Sequence, residues 1–178
     1  MKVEMTVQQD RRAAAPQDAP WLDEGQQYSW RQYLDGTARF VEALSRDHEE
    51  HSALTLGEYE LLVRLSEARD HTMRMSALAD GLARSRSRVT HTVHRMEQRG
   101  LVRRSANETD RRGVNCVMTD AGYAELVASA PGHVRAVRRF MVDVLTPEQL
   151  RNLGDAMAAI AEACRVVDER VVDERESR

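Results

Sequence analysis

The apolar residues of this chain change their spacing once, just after Gly100, and that change constrains the fold more than any other feature. Upstream they recur at three- and four-residue steps, the period of helices with one buried face; downstream they alternate over two short stretches, the period of strands. Thr55-Leu56-Gly57-Glu58 reads as a capping box opening a helix, with Leu54 placed to staple onto Tyr59. Leu61, Leu62 and Leu65 form the expected buried stripe, and the helix should run out near Ala68. Ser76 is expected to cap a short helix holding Leu78, Ala79 and Leu82. Ser85 is expected to cap the next, with Val89, Val93 and Met96 at i, i+4 and i+7 and Gly100 as its left-handed terminator. Val102-Arg103-Arg104 and Val114-Asn115-Cys116-Val117-Met118 then read as strands, joined by the polar SANETDRRG into a hairpin with a basic tip.

Longer helices flank this unit. Trp30, Tyr33, Leu34, Thr37, Phe40, Val41 and Leu44 share one face between Gln26 and His51. Thr119 is placed to cap a helix carrying Leu126, Val127, Val134, Val137, Phe140 and Met141, which Pro131-Gly132 should kink or break. Thr146-Pro147-Glu148-Gln149 is a further helix start, leading into Leu150, Leu153, Met157 and Ile160. The tandem VVDERVVDER reads as a solvated helix end, or else as an extended partner-binding tail. The chain thus divides into a disordered leader (1–25), an N-terminal helix (26–52), a lobe of short helices and a hairpin (53–119), C-terminal helices (120–165) and a charged tail (166–178). The fold class is mainly α with a small β-hairpin wing.

The net charge of −3 conceals a strong local asymmetry. Between residues 84 and 112 nine arginines face three acids, a local +6 in an acidic protein, and clustered basic charge is the electrostatic footprint of a nucleic-acid partner. On a helical wheel Ser87, Arg88, His91, His94 and Arg95 lie opposite Val89, Val93 and Met96. No apolar run approaches the ~18 residues of a membrane span, and the N-terminal residues lack a signal-peptide core, so a cytoplasmic protein is expected. Cys116 and Cys164 match no metal-ligand spacing and read as buried small apolar residues. The His48-Glu49-Glu50-His51 pair has i, i+3 spacing rather than that of a zinc-protease helix, and neither a nucleophile–base set nor a phosphate loop is present. An enzyme, a metal site and a cofactor are therefore not expected.

The motifs LA followed by S-R-S-x-V-T, then R-M-E-x-R-G-L-V, then D-R-R-x-x-x-x-x-x-T-x-x-G, all within residues 75–122, resemble the MarR family of transcriptional regulators. The resemblance extends over about residues 30–160, and it implies a winged helix-turn-helix DNA-binding lobe (53–119) between an N-terminal dimerisation helix (26–52) and C-terminal dimerisation helices (120–165). It departs from the family where Ala83-Arg84 replaces the usual Gly-apolar turn, and Arg84 is expected to point outward onto a phosphate. The family implies that the helix from Ser85 enters a major groove, so Ser87, Arg88, Thr90 and His91 are the expected base-edge readers. Arg84, Ser85, Arg86 and Arg95 complete that helix's DNA-facing set, while Arg103 and Arg104 suit backbone contacts. At the wing, Asp110 would orient an arginine so that Arg111 and Arg112 enter the minor groove; a loop-tip salt bridge is the plainer alternative.

The resemblance further implies a homodimer on a palindromic double-stranded DNA operator, and a repressor relieved by a small, aromatic effector. Trp30, Tyr33, His48, His51 and Tyr59 are the candidate effector contacts, against the simpler reading that they pack the core. Redox sensing is not expected, because no cysteine precedes Cys116. Two alternatives stand beside the regulator: a DNA-architectural protein without effector, and a helical protein-interaction module whose basic helix is incidental.

Overall fold

The computed structural model describes residues 20–107 and 113–176, with side chains as far as residue 165. The chain divides into two compact units, residues 1–38 and 39–178. Helix α1, Glu24–His51, carries residues of both. The described part of the first unit is exposed except at Tyr33, whose ring stacks on Trp30 with centroids 5.7 Å apart. The expected leader 1–25 lies mostly outside the described residues, and its last two positions are already helical.

In the second unit α2 (Leu56–Glu67) is followed by a single 3-10 turn and strand β1 (Thr72–Arg74), then α3 (Met75–Gly81) and α4 (Arg86–Gln98). Strands β2 (Val102–Ala106) and β3 (Val114–Met118) lead into α5 (Asp120–Val137), and α6 (Pro147–Glu176) is the last element of the described residues. The boundaries follow the capping chemistry. The Thr55 hydroxyl accepts from the Glu58 amide while the Glu58 carboxylate accepts from the Thr55 amide, the reciprocal pair of a capping box. Ser85 accepts from Arg88 N, Thr119 from Gly122 N, and Thr146 exchanges the same reciprocal pair with Gln149. Gly100 stands at φ 72, the left-handed position that ends α4.

Three expectations need correction. Ser76 does not cap α3; the helix starts two residues earlier than such a cap would set, with Arg74 at the cap position and no side-chain bond there. The hairpin is a three-stranded antiparallel sheet in the order β1-β3-β2, because Thr72–Arg74 pairs with the far edge of β3 in the register Met73 to Cys116. Pro131 neither breaks nor ends α5, which continues to Val137, and the irregularity falls in a π-helical turn at Arg138–Val142. The missing proline donor costs one helix bond, but Ser129, Ala130 and Ala136 on either side pack inward and hold the segment helical.

The main core gathers Leu54, Leu61, Leu62, Leu65, Leu78, Val89, Val93, Met96, Val102 and Cys116, none more than 2% exposed. Cys116 sits on the central strand, and burial pushes its thiol up to about 12, so it is an inert core residue as expected. Cys164, by contrast, is exposed on α6. No described helix is long and apolar enough to cross a membrane.

Candidate nucleic-acid interface

The amphipathic division of α4 is complete. Val89, Val93 and Met96 are buried, whereas Ser85, Arg86, Ser87, Arg88, Thr90, His91, His94 and Arg95 are all exposed, and Ser87, Arg88, His91, His94 and Arg95 lie on the arc opposite the buried stripe. Some of that arc is internally committed. The Thr90 hydroxyl donates to Arg86 O at 2.8 Å, and Ser87 shares a bond with the capping Ser85 hydroxyl at 3.2 Å. Arg86, Arg88 and His91 have no ion pair among the described residues, so their polar groups face solvent from the N-terminal half of the helix.

The helix is held in place by carboxylates that the sequence reading saw only as caps or not at all. Glu58 is 3% exposed, and besides capping α2 it accepts from Arg99 at 3.0 Å and lies 3.7 Å from Arg95. Arg99 also donates to the Ala53 carbonyl at 2.8 Å, which ties the C-terminal end of α4 to the turn before α2. A buried carboxylate persists only with such partners, so Glu58 is a positioning residue for α4. Arg84 corrects the outward orientation expected of it. Its guanidinium turns onto Glu60 of α2, leaving the side chain 28% exposed, while Ala83 takes the left-handed conformation (φ 49) that the family's usual glycine supplies without strain.

The wing is braced in the same manner. Arg104 grips Glu97 of α4 through its side chain (2.6 and 2.9 Å) and its backbone N (2.9 Å), and approaches His94 at 3.3 Å. These bonds to Arg104 hold the Glu97 carboxyl below the usual carboxylate range. Arg103 is exposed beside it. Asp110, Arg111 and Arg112, at the tip, lie outside the described residues. At the base, the Thr119 hydroxyl donates to Gly100 O (2.7 Å) and a Cβ at Gly122 would come within 2.1 Å of Leu101 O. The T-x-x-G spacing thus lets α5 start directly against the end of α4.

This geometry agrees with comparisons to known proteins. The MarR family profile matches residues 54–114. AbsC, a MarR family transcriptional regulator from Streptomyces coelicolor, superposes with a TM-score of 0.76 at 41% identity, over 83% of this chain and 99% of AbsC. The chain belongs to the MarR family, a family of transcriptional regulators rather than enzymes. A second MarR structure, Sco3205 from the same organism, was solved in complex with DNA; it matches with a TM-score of 0.77 at 38% identity, over 83% of this chain and 92% of Sco3205. Over 95 residues the chain is also 32% identical to the regulator PecS of Dickeya dadantii, a match spanning 53% of this chain and 55% of PecS.

The residues expected to contact an effector in this MarR chain separate into two groups. Trp30 and Tyr33 stack on each other in the first unit. In the second unit, His48 and Tyr59 meet His133 of α5, which the sequence reading did not single out; the Tyr59 and His133 rings stack at 4.3 Å. His48 is 2% exposed, its Nδ1 donating to Leu54 O (3.1 Å) and its Nε2 lying 3.0 Å from His133 Nδ1. Burial and the neighbouring His48 hold the His133 imidazole below the ordinary histidine range, and burial raises the Tyr59 phenol. Tyr59 and His133 line a cavity of about 600 Å³ between α1, α2, α5 and the α3–α4 turn. His48 and His51 line a smaller one beside Ser52, with His51 bonded to Asp47 O at 3.1 Å.

Proposed function

We propose that this chain is a DNA-binding transcriptional repressor, acting in the cytoplasm as a homodimer on a palindromic operator and relieved by a small-molecule ligand. The observation that carries the reading is α4 itself, with one face sealed into the core and Arg88 and His91 exposed on the other, neither in an ion pair among the described residues. The likeness to Sco3205, solved with DNA, supports it. A major groove admits such a helix, and side chains on its N-terminal half are the ones that reach base edges. Arg111 and Arg112 would enter the minor groove beside it, with Arg103 on the backbone.

The homodimer reading is supported by apolar residues that the single chain leaves in solvent: Val127 and Val134 on α5, and Leu153, Met157 and Ile160 on α6, from 37% to 54% exposed. Exposed apolar faces of this extent mark protein interfaces. Paired lobes would then read half-sites about one helical turn (~34 Å) apart. The ligand reading is supported by the cavity behind α2, whose volume suits a small organic molecule.

The test is an anisotropy titration of the purified protein against the duplex upstream of its own gene, at 50 and 200 mM salt. A dimer gripping roughly 6–10 phosphates loses about 10³–10⁵ in affinity across that range. Equal affinity for unrelated duplexes, with no response to ligands, would favour the architectural alternative; no binding even at low salt would favour the interaction module.

A further inference from the structure

We propose that Arg84 is a positioning residue for α4 and not a phosphate contact: its ion pair with Glu60 fastens the α3–α4 turn to α2 and so fixes the entry of α4. The proposal rests on the DNA-binding reading above for its effect on affinity, while the fastening itself is measurable without DNA.

The backbone of the turn shows why a fastening is needed. Arg84 N donates to Ala79 O and Ala83 N to Asp80 O, both at 3.0 Å, the paired bonds of a Schellman motif closing α3. That motif favours glycine at its left-handed position and an apolar residue next, packed back on the helix it closes. This chain has neither. Ala83 stands at φ 49, a conformation that costs an alanine more than a glycine, and Arg84 occupies the apolar place.

Helix α2 supplies the missing hold. The Arg84 guanidinium lies 2.5 Å from the Glu60 carboxylate. It rests over Gly57 on the same helix, where an added Cβ would come within 2.6 Å of Arg84 Nη1. The bare glycine is thus the berth of the guanidinium. Glu58, on the same helix, holds Arg99 at 3.0 Å, so α2 secures α4 at both ends: Glu60 just before the capping Ser85, Glu58 just beyond Gln98. Loosening the entry lowers the fraction of molecules with α4 in its DNA-ready placement. Affinity then falls by one factor for every duplex, and the preference among bases stays.

The two roles open to Arg84 give opposite signs when Glu60 is neutralised. Were Arg84 a phosphate contact, losing the carboxylate beside it would free a cation and strengthen DNA binding. As a hold on the turn, the same loss weakens binding.

The experiment is an anisotropy titration of the full-length protein against the duplex upstream of its own gene, between 50 and 200 mM salt, with hydrogen exchange on the DNA-free protein. Glu60→Gln and Arg84→Ala should each weaken binding by up to about fivefold, the ceiling for a partly exposed ion pair, and the double variant no further. The salt slope should stay that of wild type. Ala83→Gly combined with Arg84→Leu, which restores the glycine and apolar residue the turn favours, should recover wild-type affinity despite the lost charge. In exchange, the amides of residues 83 and 84 should open more readily in Glu60→Gln by a similar factor, with circular dichroism unchanged. If that variant does not fold, Arg84→Ala carries the same two readouts. Unchanged or tighter duplex binding by Glu60→Gln, a salt slope reduced by about one in Arg84→Ala, or unaltered exchange at the turn overturns the proposal. If wild type binds no duplex while exchange responds as expected, the fastening stands and the DNA reading fails.

Discussion

Val89, Val93 and Met96 on α4 and Leu153, Met157 and Ile160 on α6 share one spacing, i, i+4, i+7, yet the first three are at most 2% exposed and the last three 37–46%. Every residue from 151 to 165 is exposed. An amphipathic period therefore states what a helix must bury and is silent on which chain does the covering. In the lobe the cover is intramolecular, supplied by α2, α3 and the sheet. On α6 the proposed cover is a second copy.

The sharpest way to break this comparison is to delete the same side chain in both places. Met96→Ala should cost about 2–5 kcal/mol in a urea melt, as large-to-small changes in a sealed core do. Met157→Ala should change the melt of dilute monomer by less than about 0.5 kcal/mol, and should instead shift the monomer–dimer equilibrium in sedimentation. If Met157→Ala melts as Met96→Ala does, or leaves association unchanged, α6 is not an interface.

Next in size is Glu58→Gln, which keeps an acceptor for Thr55 N but removes the charge facing Arg99 and Arg95. Losing a hydrogen-bonded charge pair on a buried group should cost about 1–3 kcal/mol of stability, read by the same melt. An unchanged melt would mean that Glu58 does not hold α4.

The lobe was legible because its signals are local. A capping Thr, Ser or Gly and an apolar stripe sit within a dozen residues of each other, and all of α2, α4, α5 and α6 start where their caps stand. What escaped the sequence depends on distant partners. Strand β1 has three residues and exists only because β3, more than forty positions later, offers an edge. Glu58 is a cap by sequence and an anchor for Arg99 only in three dimensions. His133 follows a Pro-Gly that looks like a break, and nothing local says that it meets His48, 85 positions earlier. Arg84 reads as a DNA contact from its neighbours in sequence, and is claimed by Glu60 from the helix before.

Among the described residues, the contrast between Arg88, which has no ion pair, and Arg84, which is held by Glu60, orders the DNA-binding variants. Arg88→Ala and His91→Ala should each cost roughly 1–3 kcal/mol in operator affinity and alter preference among base pairs. Arg112→Ala should weaken binding to all duplexes alike. Arg84→Ala should leave the preference among base pairs unchanged, since its guanidinium is engaged with Glu60. An anisotropy series in which Arg88→Ala, His91→Ala and Arg112→Ala all match wild type would remove the proposed interface.

The smallest effect concerns pH, and it falls on His133, the half-buried member of the His48–His133 pair. Burial and His48 lower the folded-state pKa of His133, with Asp47 pulling weakly the other way. Because the unfolded chain then takes up its proton at higher pH than the folded one, this histidine's contribution is fully present above the ordinary histidine range. It is lost as pH falls below about 6.5. Melting temperature should therefore drop between pH 7.5 and 5.5. His133→Asn, whose amide can still donate to His48 Nε2, should drop less over the same interval. The difference between the two curves isolates His133. A variant that loses stability as steeply as wild type would show that the pair is not the proton-linked element of the fold.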